Sequence, residues 1–92
     1  MDATKIDAVL AGMVDKLSSI EHDRWSHWQR YMHGKAQAQP DGSLVIPSEL
    51  VRQWNSQMNK SFAELSEKEK DSDREQVQKY LPIIAAVLKQ NI

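Results

Sequence analysis

The chain contains no cysteine, which excludes disulfides, zinc knuckles, iron–sulfur ligands and a thiol nucleophile. Glycine and proline number three each, too few for a glycine-rich phosphate loop, so they serve as punctuation. The longest strictly apolar run, Ile83 to Leu88, falls far short of a membrane span. The acidic N-terminus does not read as a secretory signal, which makes the cytoplasm the expected compartment. Neither sign of charge dominates: 12 Lys and Arg stand against 13 Asp and Glu, a formal charge of −1. A duplex nucleic-acid binder needs a basic stripe, and a surface membrane anchor needs a polybasic run; the chain has neither.

What remains is an ordinary globular composition, 40% hydrophobic and 27% charged over 92 residues. That length supports one domain, residues 1–92, and buries only about 60–65% of the unfolded surface. No internal repeat or low-complexity tract appears. Ile6, Val9, Leu10, Met13, Val14 and Leu17 recur at helical spacing. Ser18 and Glu21 make a Ser-x-x-Glu capping box, so a second helix is expected to restart there and to stop at Gly34. A continuous helix through Ser18 is the alternative.

Residues 35–43 read as a loop with Pro40-Asp41-Gly42 as its turn. Leu44-Val45-Ile46 is extended, because Ile46 precedes Pro47. Pro47 suits the first turn of a third helix whose apolar face is Leu50, Val51, Trp54 and Met58. Residues 59–65 read as a connection. Ser66 with Glu69, and Ser72 with Glu75, make further capping boxes. The last helix carries Val77, Tyr80, Leu81, Ile84 and Leu88 on one side, with Pro82 kinking it or ending it early.

The segment Glu21–His33 concentrates three His, two Trp and a Tyr. At helical spacing Ile20, Trp28, Tyr31 and Met32 share one stripe, and Glu21 and Arg24 point into it. Trp28 reads as core. Trp25 sits on the margin of the stripe and stays open between core and ligand platform. As a platform it offers a stacking face for a purine, with an adjacent Arg for a phosphate. No metal site is expected: His22 and His27 are about 140° apart around a helix, unlike the i, i+4 pair of helical zinc sites. No nucleophile elbow and no carboxylate pair in an apolar pocket is present, so no catalytic residue is assigned.

Read together, these residues resemble the ryanodine-receptor repeat, a small helical module found in tandem in those channels and singly in bacteria and phages. One signature is His22-x-x-Trp25 within Ile20-Glu21-His22-Asp23-Arg24-Trp25. The other runs from Phe62-x-x-Leu65 through the acidic Ser66-Glu67-Lys68-Glu69-Lys70 to Asp73-Arg74. Leu44-Val45-Ile46-Pro47 is similar to the family's Leu-Val-Pro stretch, and the likeness spans roughly residues 18–90. Where the family usually carries Gly-Trp, this chain has His33-Gly34, and it inserts the Trp54 helix between Pro47 and Phe62. The nearer likeness is therefore to small phage-type relatives with Trp-x-x-Trp on the motif helix.

The resemblance implies a mainly α fold, a small bundle of four helices with one short extended segment. It also implies a non-enzymatic module that binds a nucleotide-type ligand and needs no cofactor. A phage protein that sequesters an ADP-ribose-type or cyclic-nucleotide immune signal in the host cytoplasm is one form of this expectation. Trp25 would stack the base, His22, Arg24 or Arg74 would meet ribose or phosphate, and Trp28 or Trp54 would wall the pocket. A single repeat supplies one motif Trp, so a homodimer with ligand near the interface is expected. Two readings from other classes stand beside it: a protein-interaction module with no small ligand, and a nucleotide hydrolase using His22.

Overall fold

Between Ala3 and Lys35 the chain holds no proline, and its glycines there are Gly12 and Gly34. Nothing in that stretch forces a helix to stop. In the computed structural model, which describes Met1–Ile92, it forms one helix, α1 (Ala3–Lys35). Asp2 caps it, accepting the Lys5 N–H on its side chain at 2.8 Å. Then follow β1 (Gln37–Ala38), β2 (Leu44–Val45), α2 (Ser48–Met58), a 3₁₀ turn at Phe62–Glu64, α3 (Glu67–Val77) and α4 (Leu81–Gln90). The protein is mainly helical, with one small antiparallel sheet. No helix is long and apolar enough to cross a membrane.

The expected restart at Ser18 does not occur. Ser18 lies inside α1, and the Glu21 carboxylate accepts instead from Arg24 and Tyr80. What changes there is the phase of the shielded positions. Val9, Met13, Leu17 and Ile20 are shielded in the first half, and Ser26, Gln29 and Met32 in the second. Six residues separate Ile20 from Ser26, about 240° of rotation, so the second set does not continue the first set's face. A phase change imitates a break in the apolar pattern without any change of backbone.

The framework divides into two units, one joining Met1–Arg24 to Ser72–Ile92 and the other spanning Trp25–Asp71. In the first unit α4 runs antiparallel to α1. Tyr80, preceding α4, bonds Glu21, while Val87 and Asn91 lie beside Lys5, Val9 and Gly12. Met13 is 1% exposed and is the one fully buried side chain. Pro82 neither kinks nor ends the last helix; it sits in the first turn of α4. A proline there loses no hydrogen bond, whereas a helix running through it would collide with the Gln78 carbonyl. The chain crosses from α3 to α4 by tight turns, Lys79 N–H to Gln76 at 3.1 Å and Tyr80 N–H to Val77 at 3.0 Å. Ser72 and Glu75 fall in the interior of α3 and so do not start a helix.

In the second unit the expected loop after α1 is a hairpin. Gln37 pairs with Val45 and Ala38 with Leu44. Gly42 takes φ +88°, and the Asp41 carboxylate accepts from the Ser43 N–H at 2.9 Å and the Ser43 hydroxyl at 2.6 Å. This turn chemistry holds two strands too short for a periodic signal. Gly34 is not a stop, since Gly42 is the only residue with positive φ and α1 closes one residue later. Pro47 precedes α2 rather than entering it. On α2 the half-buried residues are Leu50, Trp54 and Gln57, while Val51 is exposed and Met58 is 72% exposed.

Ser66 and Glu69 do form their capping box, at 3.0 and 3.2 Å. Glu69 also accepts from the Gln57 side chain, tying the start of α3 to α2. A second Ser-x-x-Glu pair, Ser61 and Glu64, opens the 3₁₀ turn in what reads as a plain connection.

Two substitutions test this architecture by thermal melting followed by helical circular dichroism. Met13→Ala should cost about 2–4 kcal/mol, because it empties the best-packed position. Ser18→Ala should gain up to about 0.5 kcal/mol, as expected inside a helix, whereas loss of an N-cap would cost about 1 kcal/mol.

Candidate functional site

Glu21 and Arg24 stand one helical turn apart on α1, and both are drawn into one network with Tyr80. The Glu21 carboxylate accepts from Arg24 Nε at 2.8 Å, again from Arg24 Nη2, and from the Tyr80 hydroxyl. The Arg24 guanidinium first, and the Tyr80 hydroxyl second, hold the Glu21 carboxyl below its usual range. Tyr80 is pushed up, chiefly because its hydroxyl donates to Glu21. The charged pair inside the apolar stripe is thereby explained: it anchors the start of α4 to α1.

The second unit holds the aromatic residues. Trp28 stacks on Tyr31 with ring centroids 5.4 Å apart and 21° between planes. Trp54, brought in by α2, meets Trp28 edge to face at 5.5 Å. Lys35 Nζ lies 5.6 Å from the centre of the Tyr31 ring. These rings pack on one another, yet Trp28 and Tyr31 remain 40% and 42% exposed, so Trp28 is not the core residue expected from its place in the stripe.

Trp25 is placed differently. It is 56% exposed and borders an open depression on α1 that it shares with Ser26, Gln29, Arg30 and His33. The surface combines an indole, a guanidinium, an imidazole, an amide and a hydroxyl. It can therefore offer a stacking face, a fixed positive charge and several hydrogen-bonding groups to one small molecule.

The six residues expected from the sequence are divided between the two units. Trp25, Trp28 and Trp54 belong to the second, whereas His22, Arg24 and Arg74 belong to the first. Within the second, Trp28 and Trp54 meet each other, and the residues lining the depression with Trp25 are ones the sequence did not single out. A signal for them was present. Trp25, Gln29 and His33 follow one another at i, i+4 and i+8, which places them on one helical face. No group of three or more His, Asp or Glu side chains is arranged to hold a metal ion.

No family model, curated protein or solved structure matches the chain at a significant level. The likeness to the ryanodine-receptor repeat rests on the two motifs alone.

The Glu21–Tyr80 link has a definite pH signature. Glu21 is depressed in the fold, so its contribution is complete above the ordinary carboxylate pKa and is lost as pH falls through the depressed value. Tyr80 is raised, so its contribution is complete below the ordinary phenol pKa and is lost as pH rises through the raised value. Tyr80→Phe should lower the melting temperature near neutral pH and move the Glu21 carboxyl back toward its usual range. Carbon-13 NMR titration of the Glu21 carboxyl reads this directly. An unchanged titration would show that the hydroxyl contributes nothing.

Proposed function

We propose that the chain is a non-enzymatic binding module that takes a nucleotide-type ligand, with Trp25 as the stacking plate. One observation carries the reading: Trp25 lies exposed on a rigid helix, beside Arg30, His33, Gln29 and Ser26. More than half exposed at the edge of the depression, the indole is well placed for the flat face of a base. Arg30 takes the phosphate, with its planar fork suited to two oxygens at once. His33, Gln29 and Ser26 supply groups for ribose and base edges. Arg24 is given a different role, since its guanidinium is committed to Glu21.

The resemblance to the ryanodine-receptor repeat supports the same residue, because Trp25 is the Trp of the His22-x-x-Trp25 motif. We extend the proposal accordingly to a cytoplasmic protein, dimeric in its working form, that holds an ADP-ribose-type or cyclic-nucleotide signal without turning it over. In a phage-encoded protein that would be sequestration of a host immune signal. Such a function works by stoichiometry and affinity and suits a chain this small.

A second reading, a protein-interaction module, is favoured by the apolar side chains the second unit leaves open. Leu44, Val45, Met58 and Phe62 are all exposed. Calorimetric titration with adenosine, ADP-ribose and cyclic ADP-ribose separates the two. Saturable heat with quenching of Trp fluorescence supports the nucleotide reading, and silence across the panel transfers the weight to the interaction module.

Trp25→Ala should leave the domain folded and weaken nucleotide binding about 5- to 150-fold, the value of about 1–3 kcal/mol of base stacking. Trp28→Ala should instead destabilise the fold, because Trp28 packs on Tyr31 and Trp54. Equal losses of stability in both variants would remove the special role of Trp25.

A further inference from the structure

Ile6, Leu10 and Val14 recur every fourth residue along α1, and all three are exposed, Leu10 at 53% and Val14 at 57%. On α4, Leu81 and Leu88 are exposed as well, with Ile92 beyond the end of the helix. Helical spacing places both rows on the same flank of the antiparallel α1–α4 pair. The opposite flank is the one where Gly12 and Lys16 face Val87 and Gln90. No charged residue interrupts either row; Asp7 borders the first and Lys89 borders the second.

We propose that this flank is a self-association surface, and that its occupant is the same flank of a second copy of the chain. The inference takes up the dimeric form proposed above but depends on no ligand. Three observations favour a second copy. The first unit, built on the α1–α4 pair with the end of α3, has Met13 as its one fully buried side chain, and two such units stacked face to face complete a helical bundle.

The exposed rows amount to an apolar patch on the order of 400–500 Å², the size of the largest patch on a typical monomer, which is often a functional one. Doubled across a two-fold axis, with the polar surface around it, the patch reaches the size of a specific interface. The edges, finally, are self-complementary. Laying α1 of one copy over α4 of its partner sets the Asp7 edge against a Lys89 edge, whereas α1 over α1 sets like against like.

Sedimentation velocity over a dilution series, without nucleotide, tests the surface. The wild-type chain should show a concentration-dependent monomer–dimer equilibrium. Leu10→Lys combined with Leu88→Lys should weaken association at least about tenfold while the helical circular dichroism is kept. A chain that is monomeric at every concentration, or a double variant that still dimerises, overturns the proposal.

If the double variant loses its helices, the charged edges carry the test. Asp7→Lys should weaken association several-fold, and adding Lys89→Asp should restore it. Failure of the second change to restore the dimer overturns the α1-over-α4 arrangement. The nucleotide reading is judged separately, by calorimetry on the Trp25 depression, so either proposal can fail without the other.

Discussion

The carboxylate of Glu21 accepts hydrogen bonds from Arg24, one turn further along α1, and from Tyr80, at the threshold of α4. Those bonds set where α4 begins against α1, and therefore which side chains of the first unit can meet. With α4 antiparallel and anchored there, Val9, Met13, Leu17 and Ile20 on α1 are shielded, and so are Ile83, Ile84 and Val87 on α4. The same placement leaves Ile6, Leu10 and Val14 outside. The Arg24 and Glu21 side chains stay 48% and 50% exposed, so the pair carries little desolvation cost. Here the carboxylate oxygens accept from Arg24 and from Tyr80, and the group works as a positioning device.

The second constraint is the length of α1. A single helix of 33 residues takes part in both units, and it does so because its shielded positions change phase after Ile20. In the second half that leaves Trp28 to pack with Tyr31 and Trp54, while Trp25 remains at the edge of an open depression. Two tryptophans three residues apart are thus separated in role. Trp28 packs on two other rings, whereas Trp25 borders the depression.

How much of this was legible depends on the range of the interaction concerned. The helical runs follow from local periodicity, and the Ser66–Glu69 cap from a motif whose two hydrogen bonds span three residues. The same motif at Ser18 misleads, because the backbone N–H groups it would cap are already satisfied inside α1. The hairpin at Gln37–Val45 is hidden because its strands are two residues long and leave no alternation to read. For the site, the stacking residue could be singled out by its marginal position, yet exposure depends on what the rest of the chain covers. Arg24 invited a ligand-binding reading for a similar reason: the Glu21 carboxylate that holds it is fixed in turn by Tyr80, 59 residues from Glu21 and beyond any local pattern.

That separation bears on the order in which the molecule can assemble. The second unit is one continuous stretch, Trp25–Asp71, whereas the first is made from both ends of the chain. Closing the Glu21–Tyr80 contact means closing a loop of 59 residues, an entropic cost that the hairpin and the caps do not carry. During synthesis the second unit can form once residue 71 has left the ribosome, with the N-terminal half of α1 already emerged. Met13 must wait for α4, and until that helix has emerged the apolar half of α1 has only solvent or another chain to meet.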